Sequence, residues 1–405
     1  MRHLAQHTLS LGHAKIGCTL LVAQYLIVIP LFALNVALAA ELFAGLLRPA
    51  SLPQTSNQGR CVLIVPAHNE AAIIQSSLTG VLRELPLHMN VLVVADNCSD
   101  ATADIARACP VEVIERTNLN QLGKGHALAF ARDYLKQAPP STVIIVDADC
   151  EISGRSLTQL SSAAVATGHP VQAVNLLRPN RSAHPLVQVS TFAFLLKNLV
   201  RQRGLQRFSG AVHLNGTGMA IPWKLFEGAG LATSNIVEDL GLGLEFASTG
   251  NAPLLHSEAA VWSPSSNPKG TIAQRTRWEG GFLAMARKLA FPLLGKSIAR
   301  ADAASLWLGI NLLIPPLALL GLLNVATASA SVGVFMLGGT LGPLLMLGCS
   351  IGLALSGVAA SWFLFGRDFL TLTAIFVLPA YMIWKIPLYL RLVFGGPLTW
   401  LRSGR

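Results

Sequence analysis

The chain has 405 residues and a formal net charge of +10, yet only 12% of its residues are charged and 52% are hydrophobic. Soluble domains carry about a quarter charged residues, so this balance argues against a wholly soluble protein and for membrane segments. The positive charge comes with no nucleic-acid-binding motif, and no nucleic-acid partner is expected.

Gly17 to Leu47 is almost uncharged. It exceeds the roughly 20 apolar residues a spanning helix needs. It is too long for a signal peptide and ends without a clean small-residue cleavage site, so it reads as an anchor. From Arg48 to Arg300 the composition is that of a globular α/β protein. Cys61 to Val65 is a short apolar strand, Pro66-Ala67-His68-Asn69-Glu70 its loop, and Ala71 to Leu85 a helix. Val91 to Ala95 is a second strand, ending at Asp96-Asn97-Cys98-Ser99-Asp100, and Ala101 to Ala108 is helical. Val111 to Ile114 is a third strand. The loop through Gly123-Lys124-Gly125 leads to a helix over Ala127 to Lys136. The run Val143 to Val146 is a fourth strand that delivers Asp147 and Asp149 at its end. Alternating strands and helices imply a mostly parallel sheet with right-handed crossovers.

The polar residues keep a fixed phase in this pattern. His68, Asn69, Asp96, Asn97, Asp100, Lys124, Asp147 and Asp149 all follow strands or open helices. They therefore collect along the carboxyl edge of the sheet, where open α/β folds bind ligands. Two hard carboxylates one residue apart suit Mg²⁺ or Mn²⁺ held against a diphosphate; the plainer alternative is a strand cap and turn. Gly123 and Gly125 around Lys124 allow close approach of a phosphate near a helix start, although the spacing is neither that of a P-loop nor of a dinucleotide fingerprint.

Further along, Gly216-Thr217-Gly218 lies in a small-residue loop suited to close ligand approach. Glu238-Asp239 places two acids in an apolar helical pattern. Their pKa values should separate in low dielectric and leave one as a proton acceptor, unless they merely complement a helix dipole. Gln274-Arg275-Thr276-Arg277-Trp278 opens an amphipathic stretch to Leu289. Its arginines suit a diphosphate, or it is an interfacial helix with snorkelling cations.

Three more apolar runs follow: Ala303 to Leu323 with Pro315-Pro316, Val332 to Phe365, and Phe369 to Leu390 with a single Lys385. Basic residues cluster from Arg178 to Arg207, including Lys197 and Arg201, and from Lys269 to Arg300. Such clusters beside membrane segments favour the cytoplasmic side and anionic lipid headgroups. Three later crossings would nevertheless put Arg402 and Arg405 outside, so one run is expected to be interfacial or folded back. Six cysteines without metal-ligand spacing suggest buried thiols in a reducing compartment.

Taken in order, Pro66-Ala67-His68-Asn69-Glu70, Asp96 with Asp100, Gly123-Lys124-Gly125, Asp147-Ala148-Asp149, Glu238-Asp239 and Gln274-Arg275-Thr276-Arg277-Trp278 resemble the motifs of family 2 inverting glycosyltransferases. Within that family the pattern looks like the membrane-embedded branch of cellulose and hyaluronan synthases and bacterial exopolysaccharide glycosyltransferases. The resemblance implies a GT-A fold, a Rossmann-like α/β domain flanked by transmembrane α-helices. The implied division is an anchor over 1–50, a cytosolic catalytic domain over 51–270, an interfacial segment over 271–300 and about three membrane helices over 301–405. It implies a nucleotide-sugar donor, with UDP the expected nucleotide, and Mg²⁺ or Mn²⁺ as cofactor. Pro66, Ala67, His68, Asn69, Glu70, Asp96 and Asn97 would form the nucleotide pocket, with Lys124 and Asp147 on the donor and Asp149 on the metal. Asp239, beside Glu238, would be the general base. Val237 stands where the family has threonine, so that hydroxyl contact is lost. Gln274, Arg277 and Trp278 would meet the acceptor and the leaving diphosphate, with Gly216, Thr217 and Gly218 beside them. The implied partners are a lipid-linked or polysaccharide acceptor, membrane lipids and other polysaccharide-assembly proteins. The implied location is a bacterial inner membrane with the catalytic domain in the cytoplasm. A processive synthase that exports its polymer is the near alternative, and a non-catalytic sugar-nucleotide sensor a more distant one.

Overall fold

The structure is a computed structural model that describes residues 2–56, 59–233, 237–264 and 268–394. The first apolar run lies in helix α1 (Arg2–Leu46), whose portion Thr19–Leu46 is long and apolar enough to cross a membrane. The α/β domain begins with β1 (Cys61–Ala67), α2 (Ile74–Arg83), β2 (Met89–Asp96), α3 (Thr102–Arg107), β3 (Glu112–Arg116), α4 (Lys124–Leu135) and β4 (Thr142–Ile145). It continues through β5 (Glu151–Ile152), α5 (Gly154–Thr167) and β6 (Val171–Leu177). One long helical run then comprises α6 (Pro185–Leu195), a π-type turn (Leu196–Arg201) and α7 (Gln202–Ser209). The domain closes with β7 (Met219–Pro222), α8 (Trp223–Gly228), α9 (Glu238–Ser248) and β8 (Leu254–Ser263).

The eight strands form one sheet in the order β3-β2-β1-β4-β7-β6-β8-β5. The first four are mutually parallel, so their carboxyl ends share one edge, and β7 runs antiparallel to β4. The β-branched residues of β1, β2 and β4 are buried on both faces, as a sheet covered by helices requires.

Several boundaries differ from the sequence expectation, and hydrogen bonds give the local reason for two of them. The helix after β1 starts at Ile74, not Ala71, because Glu70 to Ile73 form a turn braced by Asp100: the Ile73 amide bonds Glu70 and the Ala71 amide bonds the Asp100 carboxylate. Strand β4 ends at Ile145, whose carbonyl accepts from the Gly218 amide; the Val146 amide still donates to Ile64 of β1, and the Asp147 amide turns to the Thr217 hydroxyl.

Helix α10 (Pro268–Ala299) leads out of the domain. Pro315-Pro316 cut the next apolar run into α11 (Ala303–Leu313) and α12 (Leu317–Met336), since proline cannot continue a helix. Helix α13 (Gly342–Ser361) extends as a wider turn to Gly366. Thr19–Leu46, Leu317–Met336 and Gly342–Gly366 are the described helices long and apolar enough to span a membrane. The last run is broken into α14 (Leu372–Ile375), α15 (Leu378–Trp384) and α16 (Ile386–Phe394). Arg402 and Arg405, which entered the charge argument on topology, lie outside the described residues.

The spans have polar interiors and apolar exteriors. Asn35 and Asn324 exchange two amide hydrogen bonds of 2.9 and 3.0 Å, Asn35 also donates to Ser350, and Gln24 donates to Ser331. Val22, Leu26, Val325, Met336, Leu345 and Leu355 face outward, the inversion expected of helices solvated by lipid. Gln24 meets Thr340 at one end of the bundle, and Gly357 packs on Leu42 at the other. Helices α12 and α13 therefore form a hairpin that leaves the domain and returns to it. The short helices that follow pack on α6 and α12.

Candidate active site

The first strand ends build a pocket whose two rims brace each other. After β1 and β2, Asn69 and Asn97 both adopt left-handed backbone (φ 54° and 52°), which asparagine tolerates better than most residues. The Asn69 side chain accepts from the Ser99 amide at 2.7 Å, the Glu70 amide donates to Thr102, and His68 Nδ1 meets the Asp96 carbonyl at 2.7 Å. Asp96 is buried, and Arg116 from the end of β3 donates to its carboxylate at 2.6 Å. Asn97 accepts from the Asn118 amide. Pro66, Ala67, His68, Asn69, Glu70, Asp96 and Asn97 thus lie together, and Asn69 and Asn97 spend their side chains holding loops in place. Arg116 was not anticipated, because a single arginine at a strand end carries no local pattern.

The second cluster gathers around Lys124, the first residue of α4. Its ammonium pairs with Asp147 and donates to the Gly216 carbonyl at 2.6 Å. Burial opposes its charge, but Asp147, Glu238 and Asp239 together outweigh it and raise its pKa. Gly216 turns at φ +79°; a side chain there would begin 3.2 Å from an Asp239 carboxylate oxygen and 3.9 Å from the Lys124 nitrogen. This glycine therefore lets the base candidate and the cation face one cleft. Thr217 is 2% exposed, and its hydroxyl accepts from the Asp147 amide. Gly218 faces Val261 and Ala173 in the sheet interior. Of this loop, Gly216 borders the cleft, while Thr217 and Gly218 fix the strand ends beneath it.

Asp147, Asp149 and Cys150 offer ligand atoms within 4.8 Å of one another and could hold a metal ion. Burial and the adjoining carboxylates push the Cys150 thiol well above its ordinary value, so it stays protonated and is a poor partner for a hard cation. Two carboxylates remain, which fits Mg²⁺ or Mn²⁺ completing its shell with diphosphate and water oxygens.

Glu238 and Asp239 open α9, after Val237, which provides no side-chain cap. Burial, with Asp239 beside it, pushes Glu238 up to about 8. Burial also raises Asp239, against the pull of its bond from the Leu240 amide and of Lys197 and Lys124. A buried acid whose proton affinity is raised in this way has the chemistry that a general base requires.

The Gln274–Trp278 stretch lies within α10. Gln274, Arg277 and Trp278 are half-buried there. Arg275, unassigned by the motif, is buried; it donates to the Ser190 hydroxyl and carbonyl at 2.7 and 2.9 Å and stacks on Phe194 and Trp278. Trp278 stacks on Phe194 with ring centroids 5.4 Å apart. It also lines a cavity with Lys197, Arg201, Arg275 and Glu279.

The profile of the family described as glycosyltransferase like family 2 matches residues 59–281, more than half of the chain. The chain belongs to this family of glycosyltransferases. No curated protein matches it in sequence. Among solved structures, it is similar to a mannosyltransferase from Pyrobaculum calidifontis in complex with GDP-mannose and Mn²⁺. That match has 19% identity, covers 90% of this chain and 99% of that one, and has a TM-score of 0.52. Glucosyl-3-phosphoglycerate synthase from Mycobacterium tuberculosis, solved with Mn²⁺, UDP-glucose and phosphoglyceric acid, matches at 18% identity over 54% of this chain and 79% of that one, with a TM-score of 0.34. The first likeness extends over membrane helices and catalytic domain alike, and the glycosyltransferase domain has the GT-A fold that the sequence implied.

Proposed function

We propose that this glycosyltransferase moves a sugar from a nucleoside-diphosphate donor to an acceptor held at the membrane, with inversion at the anomeric carbon. The observation that carries the reading is the convergence of Lys124, Asp147 and the Glu238–Asp239 pair on one cleft around Gly216. The acceptor hydroxyl attacks the anomeric carbon, its proton passes to Asp239, and the bond to the diphosphate breaks with its electron pair on the departing oxygen. Mg²⁺ or Mn²⁺ bound by Asp149 and Asp147 would supply charge against the leaving diphosphate. Lys124 adds a cation preorganised by its neighbours, and Arg277 a second from α10. Pro66 to Glu70, Asp96 and Asn97 take the nucleotide, with Arg116 fixing the Asp96 carboxylate.

The three membrane-length helices pack on buried amides between α1 and α12, which favours single addition to a lipid-linked acceptor over polymer export. A sugar-nucleotide sensor would have no use for the raised acid pair. The proposed setting is a bacterial inner membrane with residues 51–300 on its cytoplasmic side. The test is incubation of the purified full-length chain with Mn²⁺ and radiolabelled UDP- or GDP-sugars in membrane lipid. One lipid-linked product supports the reading, a ladder of long polymer favours a processive synthase, and no transfer from any donor defeats it.

A further inference from the structure

The loop 210–218 joins α7 to β7 and carries Gly216 into the cleft. Two of its amides reach neighbouring segments: Val212 donates to the Pro253 carbonyl at 2.9 Å, and Gly218 to the Ile145 carbonyl at 2.8 Å. Strand β6 runs antiparallel to β7 only as far as the pair Gln172 and Met219. The Ala173 amide still donates to the Gly218 carbonyl at 2.8 Å, and the loop then parts from the strand.

From there a side chain supplies the partners. Gln172 sits in β6 between the apolar residues Val171 and Ala173 and is fully buried. Burying a carboxamide is costly unless its hydrogen bonds are made, and here they are made to main chain. Its oxygen accepts from the Asn215 amide at 2.9 Å. Its nitrogen donates to the Thr217 and Ala173 carbonyls, each at 2.8 Å. One amide and two carbonyls as partners fix which end of the carboxamide is which. The Asn215 amide and the Thr217 carbonyl flank Gly216, so the carboxamide holds the backbone on both sides of it. Gly216 in turn gives its carbonyl to Lys124 at 2.6 Å and leaves the space that Lys124 and Asp239 face. Nearer the start of the loop, Gln202 of α7 does the same for His213, donating to its carbonyl at 2.8 Å and accepting from its amide at 3.0 Å.

We propose that Gln172 is a positioning residue for the transfer step: its carboxamide stands in for the missing strand, and it fixes the Gly216 carbonyl against Lys124 and the gap across which Lys124 and Asp239 meet. The inference rests on the glycosyltransferase reading with Asp239 as base, and it adds a residue that acts through the backbone of Gly216. An apolar side chain of the same length would fill the space but leave the Asn215 amide and the Thr217 carbonyl without these bonds. The loop would then shift, and a displacement near 1 Å at a reacting group slows catalysis by as much as about 10²-fold. A carboxylate would keep the bond from Asn215 but set a negative oxygen against the Thr217 and Ala173 carbonyls. A protonated carboxyl restores one donor, so the glutamate substitution should be rescued by acid.

The test is Gln172→Met in the full-length chain in membrane lipid, assayed with Mn²⁺ and the radiolabelled UDP- or GDP-sugar that the unsubstituted chain turns over. Its kcat should fall about 10- to 100-fold, with the donor KM within about 3-fold of the unsubstituted value. In an Asp239→Asn background the same substitution should cost less than about 3-fold, because both act through one geometry. A change that merely loosened the fold would repeat its full factor there. Gln172→Glu serves if the methionine variant does not fold. The introduced carboxyl meets only main-chain groups, and burial keeps its proton to higher pH than that of an exposed glutamate. The ratio of its rate to that of the unsubstituted chain should therefore rise as pH falls. A kcat for Gln172→Met within about 3-fold of the unsubstituted chain, its full factor in the Asp239→Asn background, or a Gln172→Glu ratio indifferent to pH would each overturn the role. Amide hydrogen exchange needs no turnover: exchange at Asn215 should quicken in Gln172→Met, and unchanged exchange overturns the brace. Absence of transfer by the unsubstituted chain, with exchange quickened in the variant, sinks the transferase reading and leaves the brace standing.

Discussion

Asp239 is held by its own helix start, faced by Lys124 across Gly216, and crowded by Glu238. As a base it is worth about 10²- to 10⁴-fold in rate. Asp239→Asn should therefore lose transfer by that factor in a radiolabel assay while keeping nucleotide affinity. Asp149→Ala should abolish the Mn²⁺ dependence of nucleotide binding in calorimetry, and persistence of that dependence would move the metal elsewhere. The acid pair also sets a pH response. Glu238 has an ordinary value of 4.5 and is pushed up to about 8 in the fold. Between these values the folded chain holds a proton that the unfolded chain has lost, so stability falls as pH rises through that window. The transfer rate should rise over the same window as the pair ionises. Glu238→Gln should flatten the stability profile in thermal unfolding, and an unchanged slope would show that Glu238 titrates normally. At this scale the sequence is informative where charge sits at the end of an apolar strand: Asp96, Lys124, Asp147 and Asp149 declare themselves by phase. It is silent where the meaning depends on a distant partner. Arg116 acquires its role from Asp96, and Lys197 is one of several basic residues in its stretch until the fold gives it a cavity.

At the scale of elements, α1 is tied into the catalytic domain rather than lying beside it. A side chain at Gly45 would begin 1.9 Å from the Val200 carbonyl, and one at Gly204 would begin 2.0 Å from the Glu41 carbonyl, so these glycines set how closely α1 meets the long helical run. Fully buried Glu41 binds Arg201, and Asn311 donates to it at 2.6 Å. Breaking a buried pair by removing one partner costs about 3–5 kcal/mol. Glu41→Leu should accordingly lower thermal stability sharply in detergent, and a shift no larger than that of a surface substitution would show the pair to be dispensable. Within the first apolar run, Glu41 gives no hint of its partner. The Arg178 to Arg207 stretch reads as a lipid-facing basic surface, but its Arg201 is buried. Helix breaks were legible at Pro315-Pro316. So were two starts in the last run, where Pro379 and Pro387 are each the second residue of a short helix.

At the scale of the whole molecule, the hairpin of α12 and α13 brings the chain back to the domain. Lys385 and Tyr389 then close on Glu279, the neighbour of Trp278. The charge argument from sequence turned on Arg402 and Arg405, which lie outside the described residues. The span Thr19–Leu46 has 28 residues, about 42 Å at 1.5 Å per residue, against a hydrocarbon core of about 30 Å. α12, with 20 residues, matches that core far more closely. Among the described spans α1 exceeds the core by the most, with the 25-residue Gly342–Gly366 next, and a helix too long for its bilayer tilts. Its lower end is clamped through Glu41 and Gly45 to the turn that carries Lys197. Membrane thickness thus has a mechanical route to the cavity that Lys197 and Trp278 line. Reconstitution in lipids of increasing acyl-chain length should change the acceptor KM while leaving the donor KM constant, and a flat acceptor KM across thicknesses would show that the clamp does not transmit tilt.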